Sequence, residues 1–549
     1  MFRKAIYALL AVCIAASTFA GCTSSGSPST ASTAASSAPA ASSTAPAASG
    51  EKAPETPASS VDVSKKVDVI MWMTGGSSPR DFERVSAELS KMTQNDPTLN
   101  CNLQFNIFND SNTQQKMTLM LSSGEPIDLL YSAGYLSYPL FANKGAYLAL
   151  DELVPTAAPA LNSYVTKEMW DATRVNGNIY MVPCMWEEWV PYGFLWREDL
   201  RKKHNLPEPT TIETIEAYMQ GIKEKEPDIL VTAEMPSNFG VIGAHFTSWD
   251  ILDMKYKWAD WRVPYGLYID YEDPTKVLEW WESDEFREDM LMFKRWADAG
   301  YWSKSALANT ETKSDQFKAG KIACDLGFNS PNGYAGLVDT IATTHPDWEV
   351  GWLPYYRPKQ LATPNHATQN GYSVPLTSQN PERALMVLEK LILDKDYYRL
   401  SQYGFEGEHY QETEDGFYEY IGDPDASGFP REGARLWALR NEEFMLYPKA
   451  TGKILKELND EFRGYTYPNI WTGFTEDSNP YQAERAAVMN VQAQYLPALQ
   501  AGLVADVDAA ITELIDKSKV AGLDKVREEY TNQWLAYVEE HNIGKTTVK

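Results

Sequence analysis

From residue 61 onward, short apolar runs and amphipathic stripes alternate along the chain. Residues 67–73 form an apolar run that ends in Gly75-Gly76-Ser77-Ser78, which predicts a strand and a turn. Phe82, Val85, Leu89 and Met92 recur at helical spacing, with Ser78 placed to cap and Pro79 at the first helical position. Leu103, Phe105 and Ile107 alternate with polar neighbours, as a half-buried strand does. A helical stretch over 117–121 stops at Gly124, and 127–131 reads as the next strand. Strand, helix and strand in this order predict parallel strands joined by crossovers, an α/β architecture. Further strands are expected up to Pro183 and over 322–326. Three helical stripes close the chain: Val488, Val491, Tyr495 and Leu499; Ile511, Leu514 and Ile515; and Val526, Tyr530, Trp534 and Tyr537. No internal repeat is present.

The first sixty residues follow a different pattern. Arg3 and Lys4 precede an apolar run over 5–16, followed by Phe19-Ala20-Gly21-Cys22. Between Thr23 and Ser60 there is no aromatic and no large aliphatic side chain, so this stretch cannot bury apolar surface. The arrangement resembles the bacterial lipoprotein signal, whose processed cysteine carries the lipid. Phe19 stands where Leu is more usual, and an ordinary signal peptide with an incidental cysteine is the competing reading. The resemblance implies a signal peptide over 1–21, lipidation of Cys22 and a flexible tether over 22–60. The apolar run is shorter than the roughly 18–20 residues a spanning helix needs, and no other stretch approaches that length.

Charge and cysteine use narrow the classes further. The chain has 49 basic and 75 acidic residues, a net charge of -26, which opposes binding to nucleic acid or to anionic lipid headgroups. Loss of Arg3 and Lys4 with a signal would make the remainder more acidic still. Cys101, Cys184 and Cys324 are far apart and suggest neither a disulfide framework nor a metal site. The segment Asp423-Pro424-Asp425-Ala426-Ser427-Gly428 starts like a calcium loop, but Ala434 stands where the closing Glu is needed, so an ordinary turn is expected. No HExxH, GxSxG, Walker A or GxGxxG pattern occurs, and no cofactor or metal is expected.

Several phrases resemble the extracellular solute-binding lipoproteins of carbohydrate ABC importers, the group that includes maltose-binding proteins. They are Ser123-Gly124-Glu125-Pro126-Ile127-Asp128, Lys144-Gly145-Ala146 before Leu150-Asp151, Asn176-Gly177-Asn178-Ile179-Tyr180 before Pro183, Phe317 with Gly320-Lys321-Ile322-Ala323, and Asn380-Pro381-Glu382-Arg383-Ala384. Tyr403-Gly404-Phe405-Glu406-Gly407-Glu408-His409-Tyr410 and Ala521-Gly522-Leu523-Asp524-Lys525-Val526 are similar to phrases of the LipO-type Gram-positive subgroup. The resemblance implies a two-lobed, type II periplasmic-binding-protein-like fold with a hinge and extra C-terminal helices. Lobe one would hold 61–183 and return over 348–400. Lobe two would hold 184–347, and 401–549 would supply its remainder and the C-terminal helices. The implied function is capture of a saccharide, expected to be an oligosaccharide, at the outer face of the cytoplasmic membrane and its delivery to a permease, without chemistry. A monomer is the simplest expectation.

Sugars present apolar C–H faces ringed by hydroxyls, so a sugar site wants flat rings together with carboxylates and amides. With 17 Trp and 31 Tyr the chain is rich in rings. In open α/β sheets ligands sit beyond the carboxyl ends of strands. That rule selects Trp72, Tyr135, Trp186, Glu187, Glu188 and Tyr192, and from lobe two Phe328 and Asn329, with Trp249 and Trp302 added as further rings. Trp258, Trp261, Trp280 and Trp281 fit core or helix-face positions better, and the run 282–288 fits a solvated helix face. Two alternatives stand beside this reading. A cell-surface glycosidase would need two opposed carboxylates, and Glu187 and Glu188, adjacent on a strand, would point apart. A receptor for a peptide or signalling molecule would rely less on ring platforms.

Overall fold

Two separate sheets organise the chain. The computed structural model describes residues 61–74, 78–108, 113–189, 191–232, 265–270, 273–308, 311–328, 330–360, 362–365, 367–422, 428–429, 437–467, 470, 474 and 476–543, all within one unit, Thr56–Lys549. The first sheet runs in the order Cys101–Phe108, Val67–Thr74, Leu129–Ser132, Gly371–Ser373, Val182–Pro183. Its first three strands are parallel, as their alternation with helices predicts. Val69, Met71 and Met73 point into one buried face, while Ile70 and Trp72 are half-buried on the other. Phe82, Val85 and Leu89 pack the first helix against this sheet.

That helix is Phe82–Asn95, and its N-cap is Asp81, three residues later than the expected Ser78. The shift has a tertiary cause. The Asp81 N–H donates to the carbonyl of Gly428 at 3.0 Å, and its carboxylate faces His409 at 3.2 Å, so distant chain fixes the helix start.

A second clamp sits under the sheet. Asp128 is buried, and its Oδ1 accepts Ser378 Oγ–H at 2.7 Å and the N–H groups of Gln379 and Asn380 at 3.0 Å each. Its Oδ2 accepts the Ile70 N–H at 2.9 Å. One carboxylate thereby ties the first strand to the start of helix Pro381–Leu393.

The second sheet runs Val350–Pro354, Gly193–Arg197, Ile322–Phe328, Leu230–Thr232. This corrects the expectation that the return to lobe one begins at residue 348. Val350–Pro354 pairs antiparallel with Gly193–Arg197 and belongs to lobe two, and the chain rejoins the first sheet at Gly371–Ser373. Two glycines key the pairing: a Cβ on Gly351 would lie 2.2 Å from the Trp196 ring, and one on Gly193 would lie 2.4 Å from Trp352 Nε1. Only backbone without a side chain fits under those indoles.

Lobe two and the C-terminal helices share one core. Phe194, Tyr218, Trp281 and Trp296 cluster with Val488 and Leu496 of Gln482–Gln500, Leu514 of Val507–Val520 and Trp534 of Leu523–Glu540. The chain after residue 400 does not go wholly to lobe two, contrary to expectation. The hairpin Tyr410–Glu412 and Tyr418–Tyr420 packs with Tyr398 and Tyr403 of the helix Lys395–Tyr403, and Phe429, Ala438 and Leu439 join the core of lobe one. The helix Gly452–Arg463 then returns to lobe two, where Leu458 and Phe462 meet Leu337, Ile341 and Trp352. The chain thus passes between the lobes three times, after Pro183, after Pro354 and after Leu439, giving two lobes joined by a hinge. No described helix is long and apolar enough to cross a membrane. Cys101, Cys184 and Cys324 are buried and unpaired.

Candidate functional site

Gly371 opposes both Ser132 and Pro183, so the first crossover leaves and the second enters at the same end of the first sheet. The two are laced together. The Cys184 N–H donates to the Asn370 carbonyl at 2.9 Å, and the Asn365 N–H to the Glu188 carbonyl at 2.7 Å. A cavity of about 590 Å³ opens there. Trp186, Glu187 and Glu188 line it from the first crossover, Asn365 and Asn370 from the second, Glu168 and Met169 from the lobe-one helix Lys167–Ala172, Glu442 from the third crossover and Arg463 from lobe two.

The polar groups are held in place by two arginines. The guanidinium of Arg440, 3% exposed, lies over the Trp186 ring at 4.2 Å, and its Nη1 is 3.6 Å from Glu188 Oε1. Glu188 also accepts Asn365 Nδ2–H at 3.2 Å. Arg463 reaches Glu187 at 3.5 Å, Glu442 at 3.0 Å and Asp460 at 3.4 Å, and it lies over the Trp189 ring at 5.4 Å. Among the described residues, the indole N–H groups of Trp186 and Trp189 are buried without an acceptor. Asn370 Oδ1 accepts the Tyr131 hydroxyl, which is 2.7 Å from the Tyr135 hydroxyl. Burial pushes the Tyr131 phenol well above its ordinary range, so it stays a neutral donor.

A second cavity, of about 680 Å³, lies between the helix Pro331–Thr344 and the strand Tyr418–Tyr420, with Asn332, Asp339, Tyr420 and Lys449 on its walls. A small third cavity of about 10 Å³ is lined by Trp186, Trp189, Asn332 and Tyr447, sharing Trp186 with the first cavity and Asn332 with the second.

Of the residues selected from sequence, Trp186, Glu187 and Glu188 line the first cavity, and Tyr135 reaches it through Tyr131 and Asn370. Trp72 is half-buried against Phe108, ring centres 4.9 Å apart, and does not line either cavity. Tyr192 packs against the core of lobe two, and Phe328 meets Trp352 edge-on at 6.0 Å. Trp302 is a core residue: it is buried and donates Nε1–H to the Ala501 carbonyl at 2.9 Å, which removes it from the site. Trp249 and Asn329 lie outside the described residues, as do Trp258, Trp261 and 423–427 of the expected turn. Arg440, Arg463, Asn365, Asn370 and Glu442 were not foreseen. Arg440 alone left a trace, a cation closing the apolar run Leu436-Trp437-Ala438-Leu439.

Asp81, Glu408 and His409 bring three ligand-type atoms within 4.8 Å of one another. They are already committed to hydrogen bonds. His409 Nδ1 accepts the Phe405 N–H at 3.0 Å, so Nε2 carries the proton and donates to Asp81, while Arg84 grips Glu408 with two bonds of 2.6 Å. The cluster staples the first helix to the loop after residue 403.

Two α/β lobes, a laced crossover and a cavity at the crossing define the class of two-lobed solute-binding proteins. Residues 94–396 match the family described as bacterial extracellular solute-binding protein, and the chain belongs to it. Residues 470–539, which include most of the C-terminal helices, match a domain of unknown function, DUF3502. The chain is 25% identical over 482 residues to a carbohydrate ABC transporter substrate-binding protein of Streptococcus pneumoniae serotype 4, covering 85% of this chain and 90% of that one. Among solved structures, it is similar in fold to the N-glycan transport solute binding protein NgtS of Streptococcus pneumoniae (TM-score 0.71, 22% identity, 87% of this chain and 100% of that one). It is also similar in fold to an HMO-binding ABC-transporter-associated solute binding protein of Bifidobacterium longum infantis (TM-score 0.63, 13% identity, 86% and 99% covered).

Proposed function

We propose that the chain is the receptor component of a carbohydrate ABC importer, binding an oligosaccharide at the crossover cavity and presenting it to a membrane permease. The observation that carries this reading is the unit Trp186–Arg440–Glu188. It combines a ring held from one side by a buried cation, an indole N–H without an acceptor and a carboxylate fixed beside it. A ring and fixed acceptors are what a pyranose, with its apolar face and its hydroxyl rim, requires. The names of the relatives, which refer to carbohydrate, N-glycan and HMO binding, support the same class of cargo. Lobe closure about the crossovers would trap the ligand, whose binding energy shifts the open–closed balance. Cys22 would carry a lipid, with 22–60 as the tether at the outer face of the membrane. No covalent chemistry is assigned to the site: Glu187 and Glu188 are each committed to a different arginine, which suits neither to act as the acid of a glycosidase pair.

The test is isothermal titration of the full chain against manno-, chito-, fructo- and gluco-oligosaccharides, with product analysis after long incubation. Micromolar binding of one class without released reducing ends is expected. Turnover, or binding of peptides alone, would overturn the reading.

A further inference from the structure

We infer that the crossover cavity sorts saccharides by charge, admitting neutral and amine-bearing chains and excluding those that carry carboxylate or sulfate groups. The inference rests on the proposed saccharide site and adds the chemical class of its cargo. Among the described residues lining the cavity, Glu168, Glu187, Glu188 and Glu442 are carboxylates and Arg463 is the single cation. Arg463 already serves Glu187, Glu442 and Asp460 at 3.0–3.5 Å. Arg440 lies behind the Trp186 ring, buried and turned to Glu188. The described wall therefore offers an anionic group on the ligand no uncommitted guanidinium, and surrounds it with negative charge.

Carboxylates only accept hydrogen bonds, and sugar hydroxyls donate them, so a neutral chain finds complementary partners. The Trp186 indole N–H, buried without an acceptor among the described residues, belongs to a ring that lines the cavity. An ammonium adds attraction to the same wall. A uronate or sulfate meets like charge from carboxylates that are themselves about half exposed, Glu187 at 50% and Glu442 at 48%, so the repulsion is real and salt screens part of it. Selection of this kind works by penalising the wrong ligand.

The experiment titrates the full chain with the neutral oligosaccharide found in the panel above, with the same chain oxidised to a uronate at a terminal C6, and with its 6-amino counterpart. The uronate is expected to bind at least about tenfold more weakly than the parent, and the amine at least as well. Between low salt and half-molar NaCl the penalty on the uronate should shrink about threefold while the parent's affinity holds. A uronate that binds as tightly as the parent overturns the inference, and so does a penalty that ignores salt, which would mark steric exclusion. If no neutral saccharide binds, the saccharide reading itself fails and this inference with it.

Discussion

The guanidinium carbon of Arg440 lies 4.2 Å from the centre of the Trp186 ring, and the same group is 3.6 Å from Glu188. One buried cation therefore sets both the ring and the acceptor of the crossover cavity. Arg440→Met would leave the ring without its backing and Glu188 without a counter-charge. We expect saccharide affinity to fall at least about tenfold and stability by about 2–4 kcal/mol, since removing one partner strands the other. Arg440→Lys, which lacks the planar guanidinium, should recover stability more than affinity. Titration calorimetry and thermal melts of the three proteins check this.

Trp186 and Trp302 have similar chemistry and opposite expected roles. Trp186 is half-buried at the cavity, whereas Trp302 is sealed in the core and bonded to the Ala501 carbonyl. Trp186→Ala should abolish detectable binding and cost little stability. Trp302→Ala should cost about 3–5 kcal/mol and, at a temperature where the protein stays folded, leave affinity near that of the parent. Equal losses of binding in both would remove the distinction.

Asp128 satisfies three backbone N–H groups and one hydroxyl at the junction of the first strand with the helix Pro381–Leu393. Asp128→Ala strands those donors in a buried place, and about 3 kcal/mol of destabilisation is expected. Urea melts measure it, and a loss below about 1 kcal/mol would show that water or relaxation replaces the clamp.

The Asp81 carboxyl is held below the usual carboxylate range, first by the Arg80 guanidinium and then by His409. For an acid whose folded pKa is depressed, the stabilisation is present above the unfolded value, near pH 4, and is lost as pH falls through the lower folded value. The parent should therefore lose stability on acidification below about pH 4 more steeply than Asp81→Asn, whose curve should be flatter there. Denaturant midpoints measured from pH 6 to pH 3 give the comparison.

The elements most legible in the sequence are those whose pattern is local. The strands around Val69 and Leu103 and the three C-terminal stripes carry their burial in their own periodicity. That Trp186 and its two glutamates stand just past a strand end was legible too, because the strand near Pro183 is a local signal. What sequence could not supply was partnership across the chain. Val350–Pro354 looks like any apolar strand, and it is Trp196 against Gly351 that assigns it to lobe two. The Asp81 cap depends on Gly428 and His409, more than three hundred residues away. Arg463 lines the cavity and Arg440 backs the Trp186 ring from crossovers and helices whose meeting with Trp186 only the folded chain reveals. Trp302 misled because its composition matches a platform while its surroundings make it filler.

The lacing of Cys184 to Asn370 and of Glu188 to Asn365 has a mechanical consequence. Two connecting segments bonded to each other cannot twist independently, so rotation of one lobe against the other must turn about an axis close to them. Points near a pivot travel least. A guest resting on Trp186 would thus keep its first handshake through opening and shutting, while groups farther from the axis swing in to complete the grip.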